Sequence, residues 1–103
     1  MNSKNPDDEI IYLKKSLAVN LLYKDAWIEL ARIEIGRENF DIAQKYLSNA
    51  YYIDENDYRY YYYQGLLDKN IGEVTKADYN FKKCLKLNPK FTQAQQELSP
   101  DIN

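Results

Sequence analysis

The sequence contains no histidine and only one cysteine among its 103 residues. Without histidine it cannot build a Ser-His-Asp triad, a Cys-His dyad or an imidazole metal site. A single thiol cannot close an internal disulfide bond or form a thiolate zinc site. These absences exclude the common hydrolytic centres, and we expect no catalytic site, no metal and no cofactor.

An excess of basic charge and long apolar runs are also lacking. Fourteen Lys and Arg residues stand against sixteen Asp and Glu residues, so the formal net charge is -2. Nucleic-acid-binding domains normally carry a basic excess, and a membrane-spanning helix needs about 18 consecutive apolar residues. We therefore expect no nucleic acid partner and no membrane insertion. The polar residues 1–9 are unlike a secretory signal, which predicts a cytoplasmic chain.

Proline and glycine are scarce, and no proline lies between residues 7 and 88. Apolar residues recur three or four positions apart, as in Leu13, Leu17 and Leu21, whereas no segment of useful length alternates strictly. This periodicity predicts an all-α fold. Capping residues and helix breakers place the helices at about residues 7–20, 24–36, 40–53, 58–71, 74–87 and 91–98.

An internal repeat organises the chain. Adding 34 to a position brings small residues onto small ones and apolar residues onto apolar ones. A period of 34 with two helices in each unit is typical of helical repeat arrays. The matched pairs include Trp27 with Tyr61, Ala31 with Gly65, Ala43 with Ala77, and Leu47 with Phe81.

On these residues the sequence resembles the tetratricopeptide repeat (TPR) family, whose pattern is Trp-x2-Leu-Gly-x2-Tyr, then Ala-x3-Phe, then Pro. The resemblance implies a single domain over residues 1–103. Its antiparallel helix pairs would stack into a right-handed superhelical α-solenoid of about five helices plus a short C-terminal cap. The implied parts are a lone leading helix (7–23), repeat 1 (24–57), repeat 2 (58–91), a capping helix (92–99) and a tail (100–103).

The chain departs from the family pattern at several positions. Glu34 and Asp68 stand where the pattern has Tyr. Gly36 falls two residues earlier in its unit than Gly72 does, so we expect the two helix-connecting turns to differ in shape. Cys84 takes the place of Ala50 in the preceding unit, which predicts a buried structural thiol.

The resemblance implies a non-enzymatic protein–protein interaction module, an adaptor or scaffold whose concave groove takes a peptide or helix of a partner protein. In the family this groove is lined by the first helix of each pair. Carried over position by position, it gives Asp25, Ile28, Glu29, Arg32 and Ile35 from repeat 1, and Arg59, Tyr62, Tyr63, Leu66, Lys69 and Asn70 from repeat 2.

The repeat register also divides the tyrosines at the start of repeat 2 into core and surface residues. It assigns Tyr60 and Tyr61 to the core and leaves Tyr62 and Tyr63 on the surface, where aromatic residues often dominate binding. The alternative is compositional, because codon usage in an A+T-rich genome would also enrich tyrosine. Some family members clamp a C-terminal carboxylate with Lys and Asn. This chain has Ile28 and Arg32 at the matching positions of repeat 1, so we expect no such clamp.

A second class of function stays open. Ile10, Ile11, Leu13 and Leu17 lack the helix that precedes them in an array. This predicts a structural oligomerisation module that self-associates through its ends, or an excised fragment of a longer TPR protein. The cluster of Lys82, Lys83 and Lys86 is interpreted as an ordinary exposed face. We expect its charge to be balanced by the acidic residues Asp68, Glu73 and Asp78.

Overall fold

The computed structural model describes residues 5–100, and every regular element in that part of the chain is an α-helix. The all-α prediction is confirmed, and each predicted helix boundary lies within one residue of the observed one. Of the predicted tail, all but Pro100 lies outside the described residues. None of the described helices is long and apolar enough to cross a membrane. The helices are α1 (Pro6–Val19), α2 (Lys24–Gly36), α3 (Phe40–Ile53), α4 (Tyr58–Asn70), α5 (Val74–Leu87) and α6 (Thr92–Glu97).

Helix α1 begins at a proline and is capped by the residue before it. The Asn5 side chain accepts a hydrogen bond from the Asp7 backbone N–H at 2.9 Å, which satisfies one of the donors that a helix start leaves unpaired. Pro6 has no N–H to satisfy and occupies the first turn, followed by three acids where the helix dipole favours negative charge. Local residue types therefore determine where this helix starts.

The chain forms two compact units, one ending at Asp54 and one beginning at Glu55. In the first unit α2 packs against both α1 and α3. In the second unit α5 packs against both α4 and α6. Each unit thus contains one helix pair, joined by a tight turn, together with one additional helix.

The core of the first unit includes residues of α1. Leu17 is buried against α2, and Ile10 and Leu13 pack partly buried against the same cluster. These three side chains therefore do not form an exposed apolar end of the chain, because α2, the helix that follows them, packs against them. Ile11 lies on the other side of α1 and is 53% exposed.

The core of the second unit depends on a close approach between α4 and α5. A Cβ atom placed on Gly65 would lie 2.6 Å from Cε1 of Phe81, far inside van der Waals contact. Only glycine therefore lets the fully buried Phe81 ring rest against α4. Tyr61, Ala77, Cys84 and Ala94 complete this buried cluster.

The two helix-connecting turns have the same shape, so the predicted difference between them is wrong. Glu38 takes a positive φ of 63° in the first turn, and Gly72 takes a φ of 88° at the equivalent position of the second. The position of Gly36 therefore does not reshape the turn, since Glu38 adopts the left-handed conformation without being glycine. The matched closing bonds run from Asn39 N to Glu34 O and from Glu73 N to Asp68 O, each at 2.8 Å.

Candidate functional site

The first unit places its candidate residues along α2. Ile28 has no exposed surface at all, so its assignment to a binding surface is corrected. The remaining four are half-buried on α2 and together form what we call the α2 surface. Its members are Asp25, Glu29, Arg32 and Ile35.

Arg32 is engaged by acids of its own unit. Its Nε lies 2.8 Å from Oε1 of Glu29, and its terminal nitrogen lies 3.5 Å from Oε2 of Glu9 on α1. Two carboxylates therefore offset the guanidinium charge. A carboxylate ligand arriving here would have to displace them, which weakens the site as an anion receptor.

The second unit places its candidates along α4. All of them are at least partly exposed, and together they form the α4 surface. Arg59, the N-terminal member, binds a residue at the start of α4. Its guanidinium group donates to both carboxylate oxygens of the buried Asp57, at 3.1 and 2.7 Å. Asp57 also caps α4 by accepting from the Arg59 N–H. The members are Arg59, Tyr62, Tyr63, Leu66, Lys69 and Asn70.

Tyr62 is half-buried, so it both packs against the core and contributes to the α4 surface. Its ring centroid lies 5.0 Å from that of Phe91, 6.1 Å from that of Phe81 and 5.1 Å from that of Tyr63. Burial raises the pKa of the Tyr62 hydroxyl, and the negative charge of Glu97 adds to the increase. Tyr62 thus anchors the α4 surface to the core and supports the Tyr63 ring from one side.

Two further residues of this surface come from the last part of the chain. Phe91 packs edge-on against Tyr62, and Glu97 of α6 forms an ion pair with Lys69 at 2.8 Å. Neither residue is among the groove residues predicted from the sequence, although the repeat register contains the signal. Subtracting 34 from Glu97 gives Tyr63, a candidate residue, so α6 continues the series of first helices.

The repeat register reappears in the hydrogen bonds of the two units. Trp27 donates its indole N–H to the Leu21 carbonyl at 2.8 Å, and Tyr61 donates its hydroxyl to the Glu55 carbonyl at 2.7 Å. The two donors occupy equivalent positions of the repeat, and so do the two acceptors. In each unit a large aromatic residue of the first helix therefore fixes the connector that precedes that helix.

The two acids that replace the pattern's tyrosines are buried and satisfied by amides. Glu34 accepts from Asn39 at 2.8 Å, while Asp68 accepts from Gln64 at 3.1 Å and from Asn80 at 2.7 Å. Burying a carboxylate is costly unless it is hydrogen-bonded, and these amide donors meet that requirement. The bonds tie Glu34 to the turn that follows α2, and Asp68 to side chains of α4 and α5.

Cys84 is buried, as predicted. Burial, with a smaller contribution from the negative charge of Asp57, raises the pKa of the Cys84 thiol to about 11. A thiol with this pKa is almost wholly protonated near neutral pH and is a poor nucleophile. Within residues 5–100 no cluster of three or more acidic or cysteine side chains is arranged to hold a metal ion.

Helix pairs that recur at the period of the repeat, with matching turns and matching aromatic-to-backbone bonds, define the TPR fold. The chain is similar to the first TPR of Spaghetti (RPAP3) bound to the HSP90 peptide SRMEEVD, with a TM-score of 0.82 over 90% of this chain and 74% of that one. Sequence identity is 17%, so the likeness establishes the fold alone. No family model and no curated protein matches the chain.

Proposed function

We propose that this chain is a non-enzymatic protein-interaction module that binds a segment of a partner protein on the α4 surface. The observation that carries the proposal is the α4 surface, where Tyr63 is partly exposed and supported by the buried side of Tyr62. Tyrosine binds well in such positions because it offers a large contact area and loses little conformational entropy. The structural neighbour, a TPR that binds a peptide, supports the same interpretation.

The charges favour an apolar or aromatic partner segment over an acidic one. Arg32, Arg59 and Lys69 are the cations of the two surfaces, and each pairs with a carboxylate of its own unit. An acidic peptide would compete with those carboxylates, whereas an apolar segment would use the exposed faces of Tyr63 and Leu66. We therefore propose a ligand unlike the SRMEEVD peptide of the neighbour.

Peptide display tests this proposal without a known partner. The intact chain is used to select binders from a random peptide library, and affinities of the selected peptides are measured by fluorescence anisotropy. We expect Tyr63→Ala to weaken binding by about tenfold or more, equivalent to about 1.4 kcal/mol. Tyr52→Ala is the matched control, because Tyr52 is an exposed tyrosine on α3, outside both surfaces.

Two outcomes would contradict the proposal. One is equal loss of affinity in the Tyr63→Ala and Tyr52→Ala variants, and the other is a library that yields no specific binder. A synthetic SRMEEVD peptide should bind at least about tenfold more weakly than the selected peptides. Tyr62 is unsuitable for this comparison, because its ring packs against Phe81 and Phe91 and its loss would also destabilise the unit.

Self-association is the second candidate function, and exposed apolar residues at the start of the chain favour it. Ile11 and Tyr12 on α1 are 53% and 68% exposed, and Leu21 and Leu22 in the following connector are similarly exposed. Large exposed apolar side chains are common at oligomer interfaces. Sedimentation at high micromolar concentration tests it: a monomer throughout would remove this candidate. The cytoplasmic location expected from the sequence stays a prediction.

A further inference from the structure

Helix α5 carries a stripe of basic residues on one face. Lys76, Tyr79, Lys83 and Lys86 follow one another at separations of three, four and three residues, and Lys82 flanks them. These separations place the side chains on the same side of a helix. We call these five residues the α5 stripe. The opposite face of α5 contains the buried core residues of the second unit.

The stripe lysines have no ion-pair partner among the described residues of the second unit. Arg59 and Lys69, the other cations of the second unit that line a candidate surface, are both ion-paired. None of the four stripe lysines forms an ion pair with any residue between 5 and 100, although the Lys83 ammonium lies 5.8 Å above the Tyr61 ring. Four positive charges are therefore concentrated on about three turns of helix.

None of the three acids expected to balance these lysines forms an ion pair with them within residues 5–100. Asp68 is buried and hydrogen-bonded to amide side chains of Gln64 and Asn80. Asp78 accepts a hydrogen bond from the Ser99 backbone N–H at 3.1 Å. Of the three acids, Glu73 remains exposed at the start of the helix.

The repeat fold does not require this stripe. The equivalent positions of α3, one repeat earlier in the chain, carry a single lysine among apolar and uncharged residues. They are Ile42, Lys45, Ser48, Asn49 and Tyr52.

We propose that the α5 stripe is a second interaction surface, separate from the α4 surface, and that it binds an acidic segment of a partner polypeptide. From Lys76 to Lys86 the helix advances about 15 Å, at about 1.5 Å per residue. An extended peptide covers that length with about five residues, and carboxylates at alternate positions recur about every 6.6 Å. The helical rise from Lys82 to Lys86 is about 6 Å, which is close to that spacing. Tyr79, 68% exposed, offers an apolar contact in the same row.

Charge complementarity favours a polypeptide over a nucleic acid or a membrane. The chain as a whole has a formal net charge of -2. A long polyanion would extend beyond the stripe and be repelled by the negative charge of the rest of the chain. A short acidic segment meets only the stripe. Its attraction should weaken as salt is added, because these lysines are exposed to solvent.

A designed peptide tests the proposal. The probe is a fluorescein-labelled peptide of sequence EAEALAEAE, compared with the same peptide carrying Gln for Glu. We expect the Glu peptide to bind the intact chain at least about tenfold more tightly than the Gln peptide, with affinity falling as salt rises. The Lys82→Glu/Lys86→Glu double variant should lower the affinity by at least about tenfold.

Matched controls separate the stripe from general charge effects. Lys14→Glu/Lys15→Glu makes the same change in net charge at exposed lysines of α1 and should leave the affinity within about twofold. The Lys82→Gln/Lys86→Gln variant should give an intermediate loss of affinity. It replaces the Lys82→Glu/Lys86→Glu variant in the comparison if that variant fails to fold. Tyr63→Ala should have no effect, which separates this surface from the proposed function.

Three results would overturn the proposal. The first is equal binding of the Glu and Gln peptides. The second is equal loss of affinity in the α1 and α5 charge-reversal variants. The third is tighter binding of a uridine homopolymer, or of vesicles containing anionic lipid, than of the Glu peptide, which would make the stripe a phosphate-binding surface.

Discussion

Two glycines in helices have opposite effects on stability, and they can be tested as a pair. At Gly65 a methyl group would collide with the Phe81 ring, whereas at Gly36 it would meet nothing within 4 Å. We expect Gly65→Ala to lower the free energy of unfolding by about 1–3 kcal/mol through overpacking. Gly36→Ala should raise it by about 0.4–1 kcal/mol, because alanine reduces the entropy of the unfolded chain. Urea denaturation measures both, and equal effects would contradict the close approach.

Glu38 and Gly72 form a second matched pair at the residue scale. Both have positive φ, but only glycine adopts that conformation without strain. Glu38→Gly should therefore leave stability unchanged or raise it by up to about 1 kcal/mol, and Gly72→Ala should lower it by about 1 kcal/mol. Thermal melting of the two variants checks this. A clear loss in Glu38→Gly would mean that the first turn is built differently.

Cys84 makes stability depend on pH in the alkaline range. Its thiol ionises near pH 8.5 in an unfolded chain and at about 11 when folded, so the folded state holds the proton more tightly. The stabilising contribution is fully present below about pH 8.5 and is lost as pH rises towards 11. Cys84→Ala lacks this dependence. The difference in free energy of unfolding between the two proteins should therefore shrink across this range. A constant difference would contradict the burial of the thiol.

At the scale of the element, each helix pair is held to its preceding connector by an aromatic hydrogen bond. Tyr61→Phe removes the bond to the Glu55 carbonyl and keeps the ring in the core, so we expect a loss of about 0.5–1.5 kcal/mol. Tyr52→Phe, at an 88% exposed tyrosine, should change nothing. Chemical denaturation of both variants tests this, and equal stabilities would show that the bond contributes nothing.

The helices could be predicted from the sequence because their ends are marked locally. Pro6, the Asn88-Pro89 break and the polar connectors limit each helix, so every boundary lies within one residue of the prediction. Turn shape could not be predicted in the same way. The left-handed conformation of Glu38 depends on closing bonds between α2 and α3, and a glutamate gives no local signal of it.

The repeat register assigned the candidate residues to α2 and α4, and that assignment stays a prediction. The register could not show that Ile28 is completely buried or that the Tyr62 ring packs against Phe91. The contact of Tyr62 depends on a side chain 29 residues away in the sequence. In the same way the sequence could not show that Asp68 is buried, where it accepts hydrogen bonds from Gln64 and Asn80.

At the scale of the whole molecule, the chain has the TPR fold in two compact units, and the two surfaces that we propose would bind different ligands. The α4 surface joins tyrosine and leucine side chains to cations that are already paired. The α5 stripe is basic, and its lysines form no ion pair with any residue from 5 to 100. We expect the affinity of a partner for the α4 surface to be largely independent of salt concentration, because apolar contacts would dominate that interaction.

Amide chemical-shift mapping of the isotopically labelled chain, titrated with a library-selected peptide, tests the central claim most directly. The largest shifts should fall on residues 62–70 of α4, and they should be absent in the Tyr63→Ala variant. Largest shifts confined to the exposed residues of α1, or to α5, would contradict a binding surface on α4.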